Sequence, residues 1–173
     1  MNEKGAMPWA FHEFYLRDMD FSNGEASLLM PPPDGEKCRY LFFPGCQLGA
    51  SDPGYVQGSY RFLKDNYPGT ALMLGCCGAP AEWAGEKPLL DKVTGNIKEA
   101  WISLGKPVII LACPTCRLMF RKYLPEIESG FIYNMLAEKG NGQKGIFNCT
   151  KASVFDACAG RDDPGLRKVV REL

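Results

Sequence analysis

The sequence predicts an α/β fold: a three-layer sandwich around a parallel sheet, with cysteine-bearing loops at the C-terminal edge of the strands. Three observations carry this. Short apolar runs alternate with segments that open at a proline and read as helices. The runs are continuously apolar, as in parallel strands covered on both faces. The chain has 173 residues, 46% hydrophobic and 23% charged, which suits one domain with a full core.

Each element follows from local signals. Residues 1–36 form an aromatic, charged leader ending in Pro31-Pro32-Pro33-Asp34-Gly35, a linker signature. Within it, MPWAFHEFYLRDMDF suits a short amphipathic helix covering the main domain. Arg39 to Phe43 is a first strand, stopped by Pro44-Gly45. Asp52 then reads as an N-cap with Pro53 at the first helical position, and the helix runs to about Asn66 before Pro68-Gly69. Thr70 to Leu74 is a second strand and Pro88 to Ser103 a second helix. Pro107 to Leu111 is a third strand and Pro114 to about Tyr123 a third helix. Residues 126–140 carry weaker signals. Ala152 to Phe155 reads as a fourth strand and Pro164 to Glu172 as a final helix.

One segment echoes another. FPGCQLGASDPGY (43–55) and FDACAGRDDPGL (155–166) both have Phe, two residues, Cys, a short glycine-containing loop and Asp-Pro-Gly opening a helix. The division expected is a leader over 1–36, a main domain over 37–150 and the start of a second, truncated repeat over 151–173.

Composition excludes several classes. Lys+Arg and Asp+Glu are 20 each, so no electrostatic footprint for nucleic acid is visible. The longest apolar run, Val108 to Cys113, is far short of the ~20 residues of a membrane helix. The leader lacks the apolar centre of a secretory signal, which points to a cytoplasmic protein. There are eight cysteines and a single histidine, His12. Clustered thiols in a reducing compartment more often bind metal or do redox work than form structural disulfides.

Placed on the strand order, Cys46 follows strand one, Cys76 and Cys77 follow strand two, and Cys113 and Cys116 follow strand three. The pattern is C-x29-CC-x35-CxxC. In a parallel sheet these loops open on one edge, so five thiols should converge there. An iron–sulfur cluster suits a thiolate set without histidine best. A four-cysteine zinc site is the next candidate, and it leaves one thiolate unused. A CxxC at a helix start is also compatible with a dithiol redox centre, and buried inert cysteines are the plainest reading.

The segments FFPGCQLG, LGCCGAPAEWAG and LACPTC resemble the cysteine-rich CCG repeat of the B subunit of heterodisulfide reductase. Related repeats occur in iron–sulfur subunits of lactate, glycolate and glycerol-3-phosphate oxidation systems. The resemblance covers about residues 38–173. It implies an α/β fold and a noncubane 4Fe-4S cluster held by Cys46, Cys76, Cys77, Cys113 and Cys116, with Gly45 and Gly78 permitting close backbone approach. It further implies disulfide cleavage fed one electron at a time, ferredoxin-like or flavin-containing partner subunits, and membrane association only through such partners. A second repeat would come from another copy of the chain or a missing half, since here the second copy contributes only Cys158.

The remaining residues have plainer readings. Cys38 and Cys149 read as packing residues. Cys158 can reach the same sheet edge. His12 has a surface or packing role, and Trp83 shields the site. GNGQKG (140–145) matches G-x-G-x-x-G but precedes a strand instead of following one, so it is no dinucleotide loop.

Overall fold

The computed structural model describes residues 9–33, 35–139, 153–154 and 156–173. Its centre is a five-stranded sheet in the order β1-β3-β2-β4-β5, formed by β1 (Leu28–Met30), β2 (Tyr40–Phe43), β3 (Thr70–Leu74), β4 (Val108–Leu111) and β5 (Ser129–Phe131). β3, β2, β4 and β5 are parallel, with Leu41 opposite both Ala71 and Ile109. This is the expected α/β sandwich.

Alternation along the strands sorts the core into two layers. Leu41, Phe43, Ala71, Ile109 and Leu111 face one side, where they meet Met19 of α1 (Trp9–Asn23), Ala81 of α4 (Ala79–Ala84), the α5 helix (Lys87–Ser103) and α6 (Pro114–Tyr123). Phe42, Leu72 and Ile110 face the other, against Val56 and Leu63 of α3 (Pro53–Asn66) and Ile132 and Met135 of α7 (Ile132–Lys139). α5 buries Leu90, Val93, Ile97 and Trp101, a stripe at helical spacing. Burying each such large side chain contributes roughly 1.5–3 kcal/mol before entropy is counted.

The cap signals hold. The Asp52 side chain accepts from the Gly54 N–H at 2.7 Å, with Pro53 opening α3. Asp163 does the same for Leu166 N–H at 2.9 Å, at the head of α8 (Pro164–Glu172). α8 packs Leu166, Val169 and Val170 against the same core layer as α5 and α6.

Two expectations are corrected. The sheet is not wholly parallel, because β1 runs antiparallel to β3; the chain turns back after α1 and lays three leader residues along the sheet edge. The fourth parallel strand is β5, not Ala152–Phe155. Ser153 and Val154 are exposed and without regular structure, and the place beside β4 is taken by Ser129–Phe131. Ala152 and Phe155, with Cys149 and GNGQKG, lie outside the described residues.

Candidate metal centre

Three strand ends build the centre. β2 ends at Pro44-Gly45, and Cys46 opens the short helix α2 (Cys46–Ser51). β3 ends at Gly75, followed by Cys76 and Cys77 and then α4. β4 leads through Ala112 to Cys113, the N-cap residue of α6, with Cys116 in its first turn. Because β2, β3 and β4 are parallel neighbours, all three loops open on one sheet edge, and the five thiols meet there. Cys76, Cys77 and Cys116 are buried, while Cys46 and Cys113 are half-buried.

The thiols touch. The Cys46 thiol donates to the Cys76 sulfur at 3.6 Å. Cys76 and Cys77 are hydrogen-bonded to each other, and Cys116 bonds to both Cys77 and Cys113. Five anionic sulfurs cannot crowd together without a compensating cation, so the metal-free protein divides them. Cys77 is held well below the ordinary thiol range, first by the Cys116 hydrogen bond and next by that of Cys76. Cys113 is lowered to about 6, again chiefly by Cys116, with help from the N–H groups of Cys116 and Thr115 at the helix start. The opposite happens to Cys46, raised by its hydrogen bond to Cys76, and to Cys116, raised by its bonds to Cys113 and Cys77. For Cys76 the Cys46 hydrogen bond lowers the thiol, but the bond to Cys77 and burial prevail and push it up to about 12.

Gly45 makes the convergence possible. Its φ of 78° and ψ of 164° lie in a region essentially reserved for glycine. A Cβ there would sit 2.8 Å from the Cys116 sulfur. Gly78 does a different job from the one expected of it: with φ 89° and ψ 3° it turns the chain into α4, and its open side is filled by Leu90 and Val93, not by sulfur. Glu82 ties the loops together from behind, its carboxylate accepting from Tyr123 Oη at 2.9 Å and pairing with Lys122, so α4 and α6 are linked.

Other expected residues fall as follows. His12 is buried, 2% exposed, so of its two expected roles packing holds. Trp83, on α4, is 39% exposed and packs edge-on against Tyr15, which joins α4 to α1. Cys38 is half-buried against the core, its thiol donating to the Tyr40 carbonyl at 3.5 Å. Cys158 is exposed, in a 3-10 turn (Cys158–Gly160) packed against α6. One residue was not foreseen: Asn23, at the end of α1, accepts from the Cys76 N–H at 2.7 Å. Its only signal is a Ser-Asn-Gly turn in the leader, which says nothing of a site.

The donor set is soft and becomes anionic when its thiols lose their protons, and Gly45, without a side chain, leaves its place to the Cys116 sulfur; both suit an iron–sulfur group or zinc. Among the described residues no three Cys, His, Asp or Glu side chains are already arranged around one metal ion. Loading therefore requires the thiols to turn from one another onto the metal and to release protons. No helix is long and apolar enough to cross a membrane among the described residues.

Residues 40–121, a little under half of the chain, match the family model of the cysteine-rich CCG domain. All five converging cysteines lie inside the match, whereas Asn23 and Cys158 lie outside it. No curated protein and no solved structure matches the chain.

Proposed function

We propose, from the match of residues 40–121 to the family model of the cysteine-rich CCG domain, that the chain is an iron–sulfur redox protein of the heterodisulfide-reductase type. Cys46, Cys76, Cys77, Cys113 and Cys116 hold a noncubane 4Fe-4S cluster and pass electrons from a partner's clusters or flavin to a disulfide or quinone-linked acceptor. The observation that carries this is the chain of contacts that links five thiols delivered by three separate loops, one more than a four-cysteine zinc site uses. When bound, the cluster supplies one-electron transfer, which no side chain here offers. The residues around it do the rest. Cys76, Cys77 and Cys116 keep the inner side dry, and Gly45 lets the backbone close on the sulfurs.

Cys46 faces outward onto a cavity of about 750 Å³, walled by Phe21, Leu28 and Met30 of the leader segment and by Val56 and Leu72 of the domain. Among the described residues Asp18 is its one charged lining residue. An acceptor with an uncharged, apolar body fits such a wall, and its reacting group would come to rest against Cys46.

The test is anaerobic reconstitution followed by iron, sulfide and zinc analysis beside a visible spectrum. The reading expects about four irons with matching sulfide and a brown colour, both lost in Cys76→Ser and in Cys113→Ser. Either variant keeping the full cluster shows the ligand set to be wrong. One zinc per chain and no iron makes this a zinc-stapled interaction module of a redox complex. No metal, with a fast-alkylating thiol, makes it a thiol–disulfide oxidoreductase using Cys113 and Cys116.

A further inference from the structure

The leader lies outside the family match, yet it places a side chain at the centre. Asn23 Oδ1 accepts from the Cys76 backbone N–H at 2.7 Å. That N–H can only donate, so the atom facing it is the amide oxygen and the position of the NH2 group follows. Gly75 makes room for the contact: a Cβ there would stand 2.9 Å from Asn23 Oδ1. C=O and C–N bonds of about 1.2 and 1.3 Å keep Nδ2 about 2.2 Å from Oδ1 and hence within about 5 Å of the Cys76 nitrogen. Nδ2 itself is buried and, among the described residues, has no hydrogen-bond partner. Buried amide groups are ordinarily satisfied, so such an atom next to a cysteine ligand needs an acceptor that the protein does not supply. Cys76, whose backbone N–H Asn23 holds, is one of the five converging cysteines, and a sulfur-rich anionic group is what they would gather.

We propose that Asn23 donates a hydrogen bond from Nδ2 to a sulfur, inorganic or cysteinyl, of the cluster held by the five cysteines, and so raises its reduction potential. This rests on the iron–sulfur reading above. Donors to sulfur stabilise the more negative, reduced state, and such outer contacts are a recognised lever on potential. The leader thus does more than cover the domain: through α1 it tunes the group that residues 40–121 bind.

The test compares reconstituted wild type with Asn23→Asp and Asn23→Ala. N23D keeps an oxygen to accept from the Cys76 N–H and loses the NH2 donor; N23A loses both. Wild type in a paramagnetic state should show a proton hyperfine coupling near the cluster that disappears in D2O and is absent from both variants. The potential should fall in both, while the metal-free melting temperature falls only in N23A. A carboxylate could lower the potential by charge alone, but it cannot remove an exchangeable-proton coupling that Asn23 does not make. Should iron and sulfide load normally while N23D and N23A retain the wild-type coupling, Asn23 merely props the Cys76 backbone and the proposal is overturned. Wild type that takes up no iron overturns the iron–sulfur reading and this proposal together.

Discussion

Residues 43–54 and 155–165 carry nearly the same phrase, but the two copies have different surroundings. In both, the Asp-Pro-Gly segment does what local chemistry dictates: an aspartate side chain caps, a proline starts, and α3 or α8 follows. Beyond that the copies part. Phe42 and Phe43 belong to β2, between β3 and β4, and are fully buried. Val154 and Ser153, just before the second copy, are exposed and join no strand. Cys46 consequently meets the Cys76 thiol of the converging set, whereas Cys158 faces solvent on the outside of α6. A motif becomes a site only where a sheet edge brings other loops to it.

The sharpest way to break this comparison is to exchange its cysteines for serine one at a time. Cys46→Ser should lose most of the reconstituted iron and its colour, while Cys158→Ser should keep both at wild-type level. Iron per chain measured side by side decides it. Equal losses would mean that the second copy also reaches the centre.

The residue before each cysteine gives the next largest effect. Gly45 sits at φ 78° and ψ 164°, while its counterpart Ala157 sits at φ −56° and ψ 141°, an ordinary conformation for any residue. Gly45→Ala should therefore destabilise the metal-free protein by about 1–3 kcal/mol from backbone strain alone, and more from the 2.8 Å approach to the Cys116 sulfur. Ala157→Gly only loosens the unfolded chain and should cost under about 1 kcal/mol. Urea unfolding of both variants measures the difference.

The same contrast explains how much could be read in advance. Helices opened by a proline, α3, α6 and α8, were legible to within a residue or so, because their signals are local. The strands β2, β3 and β4 and the five cysteines on their ends were legible because continuous apolar runs imply a parallel sheet, and a parallel sheet implies one edge. What escaped depends on contacts distant in sequence. β1 and β5 are three residues each, too short for a pattern, and exist because neighbouring strands offer them a partner. The Ala152–Phe155 expectation failed for the converse reason: its composition suited a strand, but β5 holds the position beside β4. Asn23 was invisible because nothing within the leader reveals that its helix ends against the Cys76 loop.

The caps come third. Asp52→Ala and Asp163→Ala each remove a side-chain acceptor at a helix start, worth about 1 kcal/mol. Asp163 also pairs with Arg117 of α6 at 3.0 Å, with both side chains partly buried, so its loss should exceed that of Asp52 by up to about 1 kcal/mol. It should also show a local sign that Asp52→Ala lacks, faster amide exchange confined to α8. A uniform loss across the sheet would mean that α8 and the core unfold as one unit.

The smallest effect is a titration that one copy has and the other lacks. Where the first copy has Pro44, the second has Asp156, gripped by Arg171 at 2.7 and 3.1 Å with Arg167 at 3.4 Å. The Arg171 hydrogen bond, aided by the charges of Arg171, Arg167 and Arg161, holds the Asp156 carboxyl below the ordinary carboxylate range. A lowered folded value means that the contact helps hold α8 in full above the usual aspartate pKa of about 3.9. The help fades as acid drives the pH down through the folded value. Carboxyl NMR should place the Asp156 midpoint below that of an unpaired aspartate, and Arg171→Gln should move it upward. In the same acid titration, α8 amides should lose protection in wild type before those of α3, whose neighbouring Pro44 has nothing to protonate. An Asp156 midpoint that Arg171→Gln leaves unmoved would mean that the arginine grip is solvent-screened and that only apolar packing holds α8 in place.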